Sequence, residues 1–425
     1  MMRQIILLLA VCFAFPVFTD ASAEETTIIH AGTLLSVPGE APKTQQSIIV
    51  RDGKVVEIRN GYIEADDEST IIDLSDKFVL PGLMDMHVHF TLGQPRSDYA
   101  KTSTADLTVR AVHNATKTLM AGFTTVRDLG AMRAESIIAV RDGINRGALV
   151  GPRILAAGES ISATAGHGDS RGLRHEIADV MLSAAMCDGA DDCRRAVRSQ
   201  YKMGADTIKV HATGGGADPN GREDSPPEMF DDELKAVVDT AHLLGLKVGA
   251  HAHGTAGIQA AIRAGVDSVD HSTWLDEETI DMYLETGTYM VRTGYLQEFF
   301  LSRDSMPAGT RAERAANKER MEIQLRNAVR RGVKMAMGTD AGVMPHGDNA
   351  KEFGYYVEMG MTPMQAIETG TVNAATLLGM ENEIGHLSAG MAADIVATDE
   401  SPLDDISALE KITFVMKGGV THVSK

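Results

Sequence analysis

The sequence predicts an α/β protein in which a (β/α)8 TIM-like barrel is joined to a small β-sandwich domain. Short apolar, β-branched runs alternate with helical patterns through the middle of the chain, which is typical of a parallel barrel. Both chain ends instead have strand patterns with many turns. The length of 425 residues is enough for a barrel of roughly 250 residues and a second small domain.

Residues 1–23 have the pattern of a secretory signal peptide. Arg3 provides a positive charge, and residues 5–18 are apolar but short for a membrane span. Ala21-Ser22-Ala23 has the small-x-small form of a cleavage site, so Glu24 would begin the mature chain. The alternative is a membrane anchor. We expect a periplasmic or secreted protein that has no membrane contact once this segment is removed.

The mature chain would keep two cysteines, Cys187 and Cys193, in a short loop rich in turn-forming residues. Export to an oxidising compartment favours a disulfide between them, and two free thiols are the alternative. The third cysteine of the chain, Cys12, lies in the predicted signal peptide, so a zinc site built from cysteines is not expected.

The two chain ends, residues 24–80 and 391–425, are predicted to pair into the β-sandwich. Asp52-Gly53 separates two strand-like runs and indicates a tight hairpin. Residues 393–398 and 413–420 have similar strand patterns near the C-terminus. The barrel would then occupy residues 81–390.

The barrel region contains eight candidate strands, separated by helical patterns such as residues 232–244 and 311–331. This alternation fits a closed barrel better than a doubly wound sheet. In a parallel barrel the carboxyl ends of all strands meet at one rim, where catalytic residues lie. The strands are predicted to end near His89, Asp128, Glu159, His211, His251, His271, Thr293 and Asp340.

Polar residues with metal-binding chemistry lie at several of these strand ends. His87 and His89 are two residues apart, so on an extended backbone they point to the same side, as two ligands of one metal must. Such a pair also arises by chance on protein surfaces. The metal-site interpretation of this pair is supported by the polar residues at the other strand ends, which are Lys209, His251, His253, His271 and Asp340.

This arrangement of histidines, lysine and aspartate resembles the amidohydrolase superfamily over essentially the whole mature chain. Three segments narrow the resemblance: Thr207-Ile208-Lys209-Val210, Ala250-His251-Ala252-His253-Gly254 and Gly338-Thr339-Asp340-Ala341-Gly342. They are similar to a branch of secreted metallo-dipeptidases and N-acyl amino acid hydrolases. That branch includes ochratoxin-degrading amidohydrolases and Xaa-Pro dipeptidase-like enzymes.

The resemblance implies two divalent metal ions, with zinc favoured. His87 and His89 would hold the more buried ion, and His251 and His271 would hold the second. Asp340 would ligate one ion and carry the proton of the attacking water to the leaving amine.

Lys209 has the most specific predicted role. A cationic lysine would repel two metal ions, whereas burial favours the neutral amine, which can add carbon dioxide. The resulting carbamate on Lys209 could bridge both metals. The alternative is an ordinary lysine in a structural ion pair.

The remaining rim residues are candidates for contacts with the substrate. His251 and His253 compete for one ligand position. Because His251 and His271 have the sequence spacing of the ligand pair in the related branch, we assign His251 to the metal. His253 would then contact the scissile carbonyl as a catalytic residue. His167, His346 and Arg222 are further predicted substrate contacts, with Arg222 suited to a carboxylate. Asp128 and Arg127 are predicted to support the site.

Together these features predict that a metal-bridging hydroxide cleaves the amide between an acyl group and a C-terminal amino acid. Dipeptides, N-acyl amino acids and ochratoxin A are the candidate substrates. The alternatives are a cyclic amide or imidazolone hydrolase of the same superfamily and a non-catalytic secreted metal-binding protein. The net charge of −19 argues against nucleic acid and anionic membranes as partners. We expect a small-molecule amide or peptide substrate and a homo-oligomer.

Overall fold

The computed structural model describes residues 26–94, 96–170, 172, 174, 176–177, 185–214, 225–304 and 308–425. The predicted signal peptide and Arg222 lie outside the described residues. Within the described part of the chain, no helix is long and apolar enough to span a bilayer.

Strands dominate both ends of the described chain, and strands and helices alternate between them. The strands are β1 (Thr26–Leu34), β2 (Lys43–Arg51), β3 (Lys54–Asn60), β4 (Ser69–Pro81), β5 (Leu83–Val88), β6 (Phe123–Asp128), β7 (Arg153–Ala156), β8 (Thr207–His211), β9 (Lys247–Ala252), β10 (Ser268–His271), β11 (Tyr289–Val291), β12 (Ile395–Thr398), β13 (Phe414–Lys417) and β14 (Val420–Ser424). The helices are α1 (Arg96–Tyr99), α2 (Thr104–Met120), α3 (Ala134–Asn145), α4 (Ala190–Met203), α5 (Asp231–Leu243), α6 (Thr255–Ala264), α7 (Glu277–Thr286), α8 (Tyr295–Leu301), α9 (Ala308–Arg331), α10 (Lys351–Glu358), α11 (Pro363–Thr369), α12 (Val372–Leu378) and the 3-10 helix Ile406–Glu410.

Strands from both chain ends form the β-sandwich domain. They share one seven-stranded sheet in the order β14-β13-β12-β4-β1-β2-β3. A bridge between Lys54 and Ala392 brings the β3 edge back to the C-terminal strands, so the sheet encloses its own apolar core. The predicted hairpin joins β2 to β3, and Asp52 and Gly53 have the positive φ values, 51° and 72°, that its turn requires.

The remaining strands form the predicted (β/α)8 barrel. β5, β6 and β7 pair in parallel, and so do β8, β9, β10 and β11. A bridge between Ile161 and Val210 joins the two groups. The eighth strand position of the barrel lies in the segment between the bridges Met290–Met335 and Val88–Ala341, which closes the ring.

The predicted strand ends agree with the structure to within a few residues. The third strand differs most, because β7 ends at Ala156 rather than near Glu159. The chain leaves β7 there and returns to the barrel wall at Ile161, whose backbone N–H donates to the Lys209 carbonyl at 2.8 Å. The predicted helix 232–244 corresponds to α5, and 311–331 lies within α9.

The sandwich and the barrel meet where β4 passes into β5. At this junction Gly82 donates its N–H to the Asp394 carbonyl at 2.8 Å. A Cβ on Gly82 would lie 2.2 Å from Thr124 Oγ1, so only glycine allows the first barrel strand to pack this closely against β6. The junction therefore fixes the start of the strand that leads to His87 and His89.

Cys187 and Cys193 form the predicted disulfide, which confirms that interpretation. Both cysteines are buried at the start of α4. The N–H of Cys187 donates to the Ser162 carbonyl at 3.0 Å, and this hydrogen bond holds the segment before α4 against the loop that carries His167.

Candidate metal centre

His87, His89 and Asp340 form the first group of possible metal ligands at the rim of the barrel. Nε2 of His87 lies 3.2 Å from Nε2 of His89. Oδ1 of Asp340 lies 3.3 Å from the His89 nitrogen and 3.7 Å from the His87 nitrogen. Ligand atoms bound to one tetrahedral zinc are about 3.3 Å apart, so these three side chains fit a metal ion.

Hydrogen bonds fix the orientation of this group. Nδ1 of His89 donates to the Gly130 carbonyl at 2.8 Å, which leaves the lone pair of Nε2 directed at the site. The Asp340 backbone N–H donates to the His87 carbonyl at 2.7 Å and holds the eighth barrel segment against β5. Asp340 has a φ of 62°, a left-handed conformation that re-aims its carboxylate at the end of the strand.

The protonation of these histidines follows from burial and from their neighbours. Burial, helped by the charge of Lys209, holds the pKa of His87 well below its usual value. A neutral His87 has the lone pair that a metal requires. Burial also lowers the pKa of His89, but the hydrogen bond and charge of Asp340 outweigh it, so the pKa of His89 is raised overall.

Asp85 lies in β5 with His87 and forms hydrogen bonds both to this strand and to the segment that carries Asp340. It is a site residue that the sequence analysis did not predict. Its Oδ1 accepts the N–H groups of His87 at 3.0 Å and Thr339 at 3.1 Å. Its Oδ2 accepts the Thr339 hydroxyl at 2.6 Å and the Asn349 amide at 2.7 Å. Burial raises the pKa of Asp85 to about 6. The signal in the sequence that could have identified Asp85 is the presence of an acidic residue among the apolar residues of this strand.

His251, His253 and His271 form the second group of possible ligands. The ring of His251 lies 4.6 Å from the rings of both other histidines, centroid to centroid. Burial holds the pKa of His251 and His271 well below the usual value and lowers that of His253 to about 3. The structure therefore brings together His251 and His271, the predicted ligands of the second ion, and His253, the predicted contact of the scissile carbonyl.

The loops after β10 and β11 position His271. Its Nδ1 lies 2.8 Å from the Thr293 hydroxyl, and its carbonyl accepts a hydrogen bond from Nη1 of buried Arg292 at 2.5 Å. His271 has a φ of 70°, so Arg292 supports a backbone conformation that is unusual for a side chain of this size. His253 has a comparable contact, since its Nδ1 lies 2.7 Å from the Thr273 hydroxyl.

The two groups of possible ligands are adjacent, since the ring centroids of His87 and His271 are 4.9 Å apart. Lys209 is buried, and its charge acts on both of these histidines. Its Nζ donates to Asp270 Oδ2 at 2.7 Å. Burial lowers the pKa of Lys209 even though Asp270 opposes this effect. The ion pair with Asp270 is the contact expected of an unmodified, structural lysine. The lowered pKa of Lys209 instead favours the neutral amine, which carbamate formation requires.

Arg127 and Asp128 have the predicted supporting positions. Buried Arg127 donates through Nη2 to Asp270 Oδ1 at 3.2 Å and through Nε to the Met86 carbonyl at 2.8 Å. Asp128 Oδ2 accepts the Phe90 N–H at 2.8 Å, directly after the His-x-His pair. Asp270, which the sequence marks only as part of a strand, is the residue that joins Arg127 to Lys209.

Two of the residues predicted to contact the substrate, His167 and His346, lie next to different groups of possible ligands. The ring of His167 stacks on the ring of His251, with centroids 4.4 Å apart. His346 is buried, its Nδ1 lies 3.1 Å from the Thr118 hydroxyl, and its Nε2 donates to the His89 carbonyl at 3.3 Å. His346 therefore supports the backbone of His89, and burial lowers its pKa to about 4.

The parallel barrel presents histidines, a lysine and an aspartate at its carboxyl rim, where the catalytic residues of such barrels lie. The chain belongs to the Amidohydrolase family, whose family model matches residues 78–422, and this membership makes it a hydrolase that acts on amide bonds. The two histidine groups could hold the metal ions that are typical of this family.

Two proteins illustrate what the chain is similar to. Ochratoxinase from Aspergillus niger is 32% identical over 435 residues, which cover 95% of this chain and 88% of the relative. Its crystal structure has a TM-score of 0.82 and covers 94% of this chain and 96% of its own. A Xaa-Pro dipeptidase with methionine bound in the active site is 38% identical, with a TM-score of 0.86, over 94% of this chain and 100% of that one.

Proposed function

We propose that the protein is a binuclear metal-dependent hydrolase that cleaves the amide bond between an acyl group and a C-terminal amino acid. One observation carries the proposal: the structure has two groups of possible ligands, Asp340 belongs to one of them, and buried Lys209 is close enough to act electrostatically on His87 in one group and His271 in the other. The names of the relatives support the substrate class, since a Xaa-Pro dipeptidase and an ochratoxinase both resemble this chain over most of its length.

His87, His89 and Asp340 would hold one ion, and His251 and His271 would hold the other. Bound divalent ions, with zinc favoured, would acidify a water molecule and polarise the scissile carbonyl. A barrel-rim site with mainly neutral imidazoles suits zinc better than magnesium or calcium, which prefer oxygen ligands.

Lys209 would join the two positions as a carbamate. The ammonium first releases one proton to solvent. The lone pair of the neutral amine then forms a bond to the carbon of carbon dioxide, one C–O π bond becomes a C–O⁻ group, and a second proton leaves the nitrogen for solvent, so that a cation is replaced by an anion. The lowered pKa of Lys209 supports this step because it raises the fraction of neutral amine. Asp270 would then keep Arg127 as its partner.

Asp340 would move the proton of the reaction. Its carboxylate accepts the proton of the attacking water and delivers it to the nitrogen of the leaving amino acid. A positioned carboxylate of this kind contributes about 10²–10⁴-fold to the rate. The left-handed backbone of Asp340 and the hydrogen bond from its N–H to His87 keep the carboxylate in place.

His253 would stabilise the negative charge that develops on the carbonyl oxygen. If the Thr273 hydroxyl donates to Nδ1 of His253, the proton lies on Nε2, which can then donate to that oxygen. The lowered pKa of about 3 keeps His253 neutral at ordinary pH. His167, whose ring stacks on His251, would contact the substrate from the loop after β7.

We also propose that the mature protein acts outside the cytoplasm. The disulfide between Cys187 and Cys193 supports this location, because such bonds persist mainly in oxidising compartments.

The test is a panel of dipeptides, N-acyl amino acids and ochratoxin A, assayed with zinc-loaded enzyme before and after chelator treatment. The proposal expects release of a free amino acid that stops with chelator and returns with zinc. Ring opening of cyclic amides or imidazolones without amino acid release would favour the other enzymatic candidate. Metal binding without turnover of any panel member would favour a non-catalytic protein.

A further inference from the structure

A third group of histidines lies beside the second metal position. Among the described residues, His167, His211 and His251 each offer a nitrogen, and these three atoms lie within 4.8 Å of one another. His211 ends β8, His251 lies in β9, and His167 lies in the loop that follows β7, so two neighbouring strands and a loop bring the three imidazoles together. The function proposed above gives His211 no role.

The rings of the three histidines contact one another. His167 stacks on His251 at a centroid distance of 4.4 Å, and His211 meets their rings edge-on at 4.9 and 5.2 Å. Two nitrogens on one tetrahedral zinc are about 3.3 Å apart. The three nitrogens lie within 4.8 Å of one another, so side-chain rotations that tilt His167 out of its stack on His251 would bring them to this spacing.

Gly168 lets the loop that carries His167 approach His211. A Cβ on Gly168 would lie 3.0 Å from His211 Nδ1 and 2.9 Å from the Cβ of Ser162. A side chain at this position would push the loop away from β8. The neighbouring N–H of His167 donates to Glu228 at 2.6 Å, which holds the loop from its other side.

We propose that His167, His211 and His251 form a third position for a divalent transition-metal ion, which is filled when metal exceeds the two proposed catalytic ions. A site of three imidazoles selects zinc, copper or nickel over magnesium and calcium. Because His251 is shared, an ion at the third position would draw this ligand away from the second catalytic ion, which stays bound through its other ligands but loses the coordination that the reaction needs. Excess zinc therefore inhibits the enzyme. The inhibition, but not the binding site itself, rests on the proposed function.

The first experiment measures zinc binding by isothermal titration of the metal-free protein, together with hydrolysis at increasing free zinc. Wild type is expected to bind two tight zinc ions and one weaker ion, with activity falling as the third binds. His211→Asn is expected to lose the weak ion and the inhibition while keeping the two tight ions. His113→Asn, at an exposed position on α2, is the matched control and is expected to behave as wild type.

The second experiment does not depend on a variant that folds or on a known substrate. Crystals of wild type grown in zinc at the concentration that saturates the weak ion in the titration are expected to show three anomalous peaks, one of them between His167 and His211. Two peaks only would overturn the third position, and so would unchanged weak binding in His211→Asn. If no substrate is hydrolysed, the function proposed above fails, and the anomalous peaks still decide the third site.

Discussion

The ammonium group of Lys209 lies 2.7 Å from Asp270 Oδ2, and the other oxygen of Asp270 lies 3.2 Å from Arg127 Nη2. One buried carboxylate thus balances two buried cations beside the histidine groups. Carbamate formation on Lys209 would remove one cation and supply an anion at the same place. Arg127 would remain as the partner of Asp270, and bound metal cations would have to balance the charge of the carbamate beside that carboxylate.

Lys209→Ala removes both the ammonium and the proposed carbamate. We expect the zinc content to fall below two ions per chain and kcat/KM to fall by at least about 100-fold, as happens when a metal site loses its support. Elemental analysis and hydrolysis rates measure these effects, and acetate or formate should restore part of the activity. Lys235→Ala, on an exposed face of α5, is the control. Wild-type rate with both ions present in Lys209→Ala would mean that Lys209 is only a structural ion-pair partner.

Asp340→Asn tests proton transfer separately from binding. The amide keeps one oxygen that can face a metal but cannot take up a proton, so kcat should fall by about 10²–10⁴-fold. The affinity for a product amino acid, measured by calorimetry, should change little. Asp67→Asn, in an exposed turn, should leave both quantities unchanged. Retention of more than about a tenth of the wild-type kcat would exclude Asp340 as the proton carrier.

Thr293→Val tests the positioning of His271. The hydroxyl of Thr293 lies 2.8 Å from His271 Nδ1, and its loss should weaken the second zinc ion by about 10–100-fold while the first is retained. Competition with a chromogenic chelator separates the two affinities. Thr108→Val, whose hydroxyl donates to the α2 backbone at an exposed position, is the matched control. Equal weakening of both ions would indicate a general loss of structure instead.

The burial of Glu352 predicts that the free energy of unfolding depends on pH. It is buried, it accepts the N–H groups of Gly294 and Tyr295 at 2.7 and 2.8 Å, and burial raises its pKa from 4.5 to about 7. Because the folded-state pKa is the higher one, its contribution is fully present below pH 4.5 and is lost as the pH rises to about 7.

The free energy of unfolding of wild type, relative to Glu352→Gln, should therefore decrease by roughly 3 kcal/mol across this range. Urea unfolding of the metal-free proteins at pH 4.5 and 7.5 measures the change. Glu358→Gln, at the end of the same helix, should show no such trend. A difference that stays constant with pH would show that Glu352 does not titrate in this range.

The sequence by itself determined the local features. The alternation of apolar runs with helical patterns predicted the barrel, and Asp52-Gly53 predicted the hairpin, because both signals depend on residues close together in the chain. The His-x-His spacing in β5 predicted convergence of His87 and His89, since strand geometry alone places them on one side.

Only the tertiary structure decided which distant residues share an environment. Asp85 and Asn349 are 264 positions apart and yet hydrogen-bonded, and His346 supports the carbonyl of His89 from a loop beyond the eighth strand. His211 lies next to His167 only because the segment after β7 pairs with β8 through the bridge between Ile161 and Val210. No spacing rule connects such pairs, because barrel closure and side-chain packing, rather than the period of a helix or strand, set their distances.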